Sequence, residues 1–462
     1  MKGKKKIASI LACAMLLSAA PVEAMAYTVP DTVRVGLESV CKNVASASIG
    51  VWELQIGMQK GDGFQRGGVI TSSGLFTARP AVGDYIAVDK TMDCADALDM
   101  ANDMKKSGLD TYAAYLSGGD WTVYVKDASV SAVEAAADEN ASRASFEGVA
   151  ITGGEAPVLV PENAVMMGGN VADTFKLNSM PYRGMLTFSV NGSSMTGVNI
   201  IGLEEYLYGV VPSEMPKSYD AEALKAQAVA ARTYAMTKLG AHTGSGYQLC
   251  DTTACQVYKG YSNEADATTA AVDATAGEVA CYNGSPIEAV FSASTGGYTE
   301  SSENVWNTAV PYLRAVPEPG EYGDNSWTKT LTLDELTALL QAKGENIGTA
   351  KDIVITKFST GGRVQALQIV GTSGTKTLTK EAIRTYFSSA CGTLPSKMFT
   401  INGKGGTSTS AKGGLLSAVA RQGIVAKTEG ALSYLNGKKL SVDVDAAQPA
   451  QNTDNEAYTV YN

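Results

Sequence analysis

The stretch from Asp220 to Gly240 constrains the fold more than any other part of this sequence. Leu224, Ala228, Ala231, Ala235 and Leu239 recur on one helical stripe, Asp220 offers an N-cap, and Gly240 offers a stop. Small side chains along that stripe let another backbone approach closely, so the helix belongs at the centre of a domain. Around it the signals are strand-like. Met185–Val190 alternates, Asn191-Gly192 is a strong hairpin turn, and Val198–Ile201 follows before a helix-like Leu203–Leu207. Together they predict an α+β fold: a β-rich, largely antiparallel body around one or two central helices.

The preceding stretch reads as a small split module over 48–152, after an N-terminal segment 27–47. Val51–Ile56 and Tyr85–Val88 predict strands, and Ala95–Lys106 a helix stopped by Gly108. Thr111–Leu116 and Trp121–Val125 form a hairpin through Ser117-Gly118-Gly119-Asp120. Val133–Ala141 then predicts a helix and Gly148–Ile151 a last strand, giving the order βαββαβ. With its aromatic hairpin, Gly118–Val125, this resembles a SPOR-type module. That resemblance implies binding of peptidoglycan glycan strands stripped of stem peptides; a generic packing domain of the same topology is the alternative.

The chain opens on Lys2, Lys4, Lys5 and Lys6, an apolar run Ile7–Leu17, and Ala24-Met25-Ala26. This three-part layout predicts a signal peptide over 1–26 and a protein that is secreted or held in the cell wall. No later segment has the length and apolarity to span a bilayer, so the mature chain is expected to carry no membrane span. A formal net charge of −10 argues against a nucleic-acid partner. The single histidine, His242, confines any imidazole chemistry to one place, so acid/base work falls to a carboxylate.

Residues 153–402 hold the informative motifs. Gly209-Val210-Val211-Pro212-Ser213-Glu214-Met215-Pro216 precedes the run Glu222–Tyr234, and Tyr247–Tyr258, Ser294–Glu300 and Val305-Trp306 follow in order. These blocks resemble the SpoIID/LytB family. The resemblance implies a secreted peptidoglycan lytic transglycosylase of sporulating bacteria, acting on glycan strands alongside other cell-wall enzymes.

Such a reaction needs one carboxyl group, because the sugar's own 6-hydroxyl attacks C1; water-using glycosidases need two carboxylates about 5–10 Å apart. Glu214 suits the role. Val210, Val211, Pro212, Met215 and Pro216 are uncharged neighbours, the prolines stiffen what reads as a loop, and the family's catalytic glutamate maps onto it. Gln227, Arg232 and Tyr234 are candidates for lining a glycan groove, although helical spacing keeps them off a single face, and Arg232 also suits pairing within the fold. Ser292, Ser294, Gly296, Gly297 and Tyr298 form a hydroxyl-rich loop suited to sugars or simply a tight turn. Tyr298 and Trp306 offer flat faces for stacking, core packing being the alternative.

His242, Cys250 and Cys255 are candidate ligands of a structural zinc, which wants four. The family can carry a histidine at the position of Ala254, so one ligand is missing; water, Asp251 or Cys281 are the possible replacements. A Cys250–Cys255 disulfide and two free thiols are the competing readings. A second departure lies after Ile401. The family continues there with a His-Gly-Val-Gly-Met-Ser-Gln block, whereas this chain runs from Asn402 to Gly414 without histidine, and 403–462 reads as a Gly/Ser-rich linker and disordered tail. These departures keep open a non-catalytic alternative: a glycan-binding or accessory protein that modifies another cell-wall hydrolase.

Overall fold

The computed structural model describes residues 29–169, 174–318 and 327–401, with the backbone of 416–419 and 459–461. The expected signal peptide 1–26 and almost all of the expected tail 403–462 lie outside the described residues. Two compact units emerge, one running to Phe291 and one beginning at Ser292. The architecture is mixed and strand-rich, in keeping with an α+β class.

In the first unit, β1 (Thr32–Gly36), helix α1 (Glu38–Cys41), β2 (Ala47–Gly50) and β3 (Glu53–Lys60) lead into β4 (Gly63–Val88). Next come α2 (Cys94–Lys106), β5 (Asp110–Ser117), β6 (Asp120–Lys126), α3 (Val130–Ala137) and β7 (Ala141–Gly154). Four short strands follow: β8 (Val158–Pro161), β9 (Val165–Gly168), β10 (Thr174–Leu177) and β11 (Met180–Arg183). The hairpin β12 (Met185–Asn191) and β13 (Ser194–Gly202) feeds α4 (Leu203–Glu214) and α5 (Ala221–Lys238), followed by β14 (Leu249–Cys250), α6 (Asp266–Asp273) and β15 (Val279–Tyr282), which pairs with Ser285–Pro286 and with Thr459–Tyr461.

One 14-stranded sheet has the main path β14-β1-β13-β12-β9-β3-β4-β6-β5-β8-β7, with β7 also pairing back onto β4, and β2, β10 and β11 joined off it through the β2–β4, β2–β10 and β10–β11 pairs. The 26-residue β4 makes this possible. Its first part pairs with β3, and its last part, Thr77–Val88, pairs with β7, the register breaking between Ser72 and Thr77.

The expected partition into segment 27–47, module 48–152 and body 153–402 does not coincide with these units. Thr32–Gly36 is a strand between β13 and β14, because Val33 and Val35 are fully buried and both of its edges find partners. Leu54 and Ile56 of β3 join the same apolar core as Tyr206, Ala231 and Val272, so no core boundary falls near residue 152. The unit ends at Phe291, inside the stretch expected to form one body.

The long helix forms where its stripe predicts. Asp220 accepts from the Glu222 N–H (3.0 Å), and Leu224, Ala228, Ala231 and Ala235 are buried. Helices α4 and α6 and strand β15 pack around α5, and α4 also packs on β1 and β13.

The second unit has its own core. Strand β16 (Thr328–Leu331) leads into α7 (Leu333–Ala342), which starts at a Thr332/Glu335 capping box. An antiparallel sheet of β17 (Ala350–Phe358), β18 (Val364–Gly371) and β19 (Thr375–Thr379) packs Ile353, Leu367 and Ile369 against Leu336 and Leu340.

Candidate functional site

Glu214, expected on a loop, is the last residue of α4. The apolar face of Leu203, Tyr206, Leu207, Val210 and Val211 carries the helix past Pro212, and it ends where Met215 turns extended ahead of Pro216. Glu214 is half-buried, and its Oε1 accepts from the Val257 N–H (2.7 Å). Among the described residues Oε2 has no hydrogen-bond partner.

The strip that supplies this N–H is fixed on both sides. Buried Gln256 accepts from the Tyr206 hydroxyl (3.3 Å) and donates to the Ala231 carbonyl (3.1 Å), tying α4 to α5. Tyr258 donates to Asn199 Oδ1 (2.9 Å), and its ring lies where a Cβ on Gly209 would come within 2.6 Å. Beyond it, Asn263 donates to Ser213 Oγ (2.8 Å), and Ser213 donates to the Gly209 carbonyl (2.6 Å).

Neighbouring acids are engaged elsewhere. Glu204 takes both Nε and Nη2 of Arg232 (2.8 and 2.6 Å), and Glu264 takes Nε and Nη2 of Arg183 (2.7 and 2.8 Å). Asp251 accepts from the Ser39 N–H (2.9 Å) and hydroxyl, and Glu205 is exposed.

Of the three groove candidates on α5, Arg232 faces inward. It is 0% exposed and also donates to the carbonyls of Glu278 (3.0 Å) and Val272 (3.3 Å), so its guanidinium has no route to a ligand. Gln227 and Tyr234 share a stripe with Ala231, whose carbonyl meets Gln256. The Gln227 Nε2 is buried and lacks a partner among the described residues. Tyr234 is half-buried, edge-on to Phe291, with the Lys238 ammonium 5.3 Å from its ring centre.

His242, Cys250 and Cys255 do converge: their ligand atoms lie within 4.8 Å of one another, with His242 Nε2 3.3 Å from Cys255 Sγ. Tetrahedral zinc bonds of about 2.0–2.3 Å set neighbouring ligand atoms roughly 3.5–3.8 Å apart, so the donor set fits zinc. Tyr247 stacks on His242 at 5.3 Å and donates to Glu38 (2.6 Å), which holds the imidazole against the end of β1. Neither Asp251 nor Cys281 belongs to the cluster: the first is spent on Ser39 and the second lies on β15. Ala254 is exposed, and the six cysteines of the described residues carry free thiols.

In the second unit, the loop with Ser292, Ser294, Gly296, Gly297 and Tyr298 is strapped down by Arg363, which donates to the carbonyls of Tyr298 (2.7 Å), Thr299 (3.2 Å) and Thr295. Gly296 (φ +68°) sits against Met398 where a side chain would collide. Ser292 and Ser294 are exposed, Tyr298 is half-buried, and Trp306 is 53% exposed.

Residues 191–282 match the family model described as Stage II sporulation protein, SpoIID. Over this segment the chain is similar to the SpoIID/LytB family. An amidase enhancer of Bacillus subtilis is 50% identical over 130 residues, covering 28% of this chain and 17% of the relative. Stage II sporulation protein D of Bacillus subtilis is 39% identical over 163 residues, covering 32% and 48%. An uncharacterized protein of Brachyspira hyodysenteriae is 42% identical over 166 residues, covering 36% and 45%. The chain thus spans less than half the length of these relatives. A second model, a domain of unknown function (DUF8618), matches 320–414.

The SpoIID match takes in Glu214, the three α5 candidates and the His/Cys cluster, whereas Ser292–Tyr298 follows its end. Sequence reasoning missed Val257, Arg183, Glu264, Glu38 and Ser39. Val257 contributes only backbone, and Arg183 and Glu264 are 81 residues apart, so no local pattern advertises either. Among the described residues no helix is long and apolar enough to cross a membrane.

Proposed function

We propose that this protein is an exported lytic transglycosylase that cuts peptidoglycan glycan strands, denuded ones by preference, during sporulation. The state of one carboxyl carries the proposal: Glu204 and Glu264 are chelated by arginines and Asp251 by a serine, whereas Glu214 is half-buried with one oxygen on an N–H and the other open. A chelated carboxylate is a poor proton donor, which leaves Glu214 to act alone.

In the first step protonated Oε2 gives its proton to the glycosidic oxygen as the C1–O bond breaks and positive charge develops on the ring. In the second, the Glu214 carboxylate takes the proton of the 6-hydroxyl as O6 bonds to C1. The product is a 1,6-anhydro-muramoyl end, the proton is back on Glu214, and no water is consumed. The Val257 N–H stays on Oε1 throughout, fixing the carboxyl and stabilising the anion formed between the steps.

His242, Cys250 and Cys255 would hold a zinc ion, which when bound supplies a structural clamp at the residue before Gln256 and Val257. Export rests on the basic, apolar and small-residue pattern of residues 1–26. Relatives named for sporulation and for amidase enhancement support a place beside other cell-wall enzymes.

The second of those names also favours another reading, a glycan-binding accessory that modifies a separate hydrolase. Purified protein incubated with glycan strands, with and without stem peptides, decides between them by mass spectrometry. Transglycosylase activity gives 1,6-anhydro ends that vanish in Glu214→Gln. Strand binding without such ends selects the accessory role, and ends that persist in Glu214→Gln remove Glu214 from the mechanism.

A further inference from the structure

The segment that orients Glu214 also presents an aromatic ring to solvent. Tyr261 is 39% exposed, yet one face of its ring lies under the Arg183 guanidinium, 4.6 Å from the ring centre. That guanidinium is itself locked by the two-point contact with Glu264 at 2.7 and 2.8 Å. The backbone just before the ring is equally constrained. Gly260 has φ +64°, and a Cβ there would come within 2.5 Å of the Pro181 carbonyl and 2.7 Å of the Tyr182 ring. At the other end of the turn, Asn263 reaches Ser213, the residue adjoining Glu214.

A surface cation–π pair taken alone is ordinary and weak. Three features set this one apart. An ion pair and a glycine-only turn hold the ring rigid, the turn is bonded to the residue beside the proposed acid, and the same strip donates the N–H that fixes that acid. Tyrosine offers large contact area for little loss of rotamer freedom, which suits a fixed platform. Because Glu264 neutralises Arg183, the platform attracts an uncharged ring rather than a carboxylate.

We propose that Tyr261 stacks on a neutral pyranose ring, an N-acetylhexosamine of the glycan strand, beside the unit held at Glu214, with Arg183 and Glu264 as its positioning bracket. This rests on glycan being the ligand of the Glu214 site, whether the protein cuts it or only holds it.

The test is binding of the full-length protein to denuded glycan strands by calorimetry, for wild type, Tyr261→Ala and Tyr261→Phe, with melting curves to establish that each is folded. Loss of a stacking face is expected to weaken binding about 3- to 10-fold in Tyr261→Ala, while Tyr261→Phe stays within about twofold of wild type. If strands are cleaved, KM rises in Tyr261→Ala with kcat little changed. Wild-type affinity in Tyr261→Ala overturns the platform while leaving the Glu214 proposal intact. Equal weakening in Tyr261→Phe overturns stacking in favour of a hydroxyl contact, and a fall in kcat at unchanged affinity overturns it in favour of an effect through Ser213. No binding by folded wild type removes both proposals together.

Discussion

Arg232 is the residue for which the sequence offers two kinds of work, lining a groove or pairing within the fold, and substitution separates them. In Arg232→Met the stem is kept while the guanidinium is lost. Glu204 is left with only the Gly277 N–H (3.1 Å), and the Glu278 carbonyl loses the guanidinium as donor, whereas the Val272 carbonyl keeps Thr275. Removing one partner of a buried ion pair costs about 3–5 kcal/mol. The Glu204 side chain is 31% exposed, so water repairs part of the loss, which places the expected cost near the low end, about 3 kcal/mol. For a unit of this size that lowers Tm by about 6–12 °C. Glu204→Gln, which strands a fully buried cation, is expected to cost at least as much, and the double variant less than the two singles together, with a coupling of about 2 kcal/mol. Calorimetric melts of the four proteins measure this, alongside glycan affinity well below each Tm. A loss under about 1 kcal/mol with a selective fall in affinity would refute the structural assignment and return Arg232 to the groove.

Cys255→Ser and His242→Ala are each expected to lose zinc that wild type retains after dialysis against buffered metal, and metal analysis of the three proteins reads this directly. Because burial pushes the Cys255 thiol up to about 11, binding must expel protons, so zinc occupancy at fixed free metal rises with pH; a flat profile contradicts thiolate ligation. Burial likewise pushes the Cys41 thiol up to about 11, against about 8.5 for an unfolded thiol. Its contribution to stability is full below about pH 8.5 and is lost as pH rises toward 11, so Cys41→Ala should flatten the decline of urea stability between pH 8 and 10.5, and identical slopes would exclude it.

Local chemistry was legible in the sequence. Asp220 and the alanine stripe gave α5 to within a residue or two, Asn191-Gly192 marked the turn between β12 and β13, and the three metal-ligand candidates do meet. Long-range pairing was not. Thr32–Gly36 has a strand's alternation, but nothing in it names partners at Val198–Gly202 and Leu249-Cys250. Glycines and Pro80 hide the length of β4, because a bent strand tolerates what a straight one would not. For Glu214, the prolines suggested a loop, and the apolar face of α4 overrode them.

The placement of β1 bears on how this protein can be cut. Trimming it to the matched span 191–282 would strip the strand that lies between β13 and β14 and bare two hydrogen-bonding edges at once, an invitation to aggregation. It would also take away Ser39 and Glu38, which brace the cysteine loop from outside that span. A soluble, metal-competent fragment therefore has to begin upstream of Thr32, some 160 residues before the first position that homology would suggest.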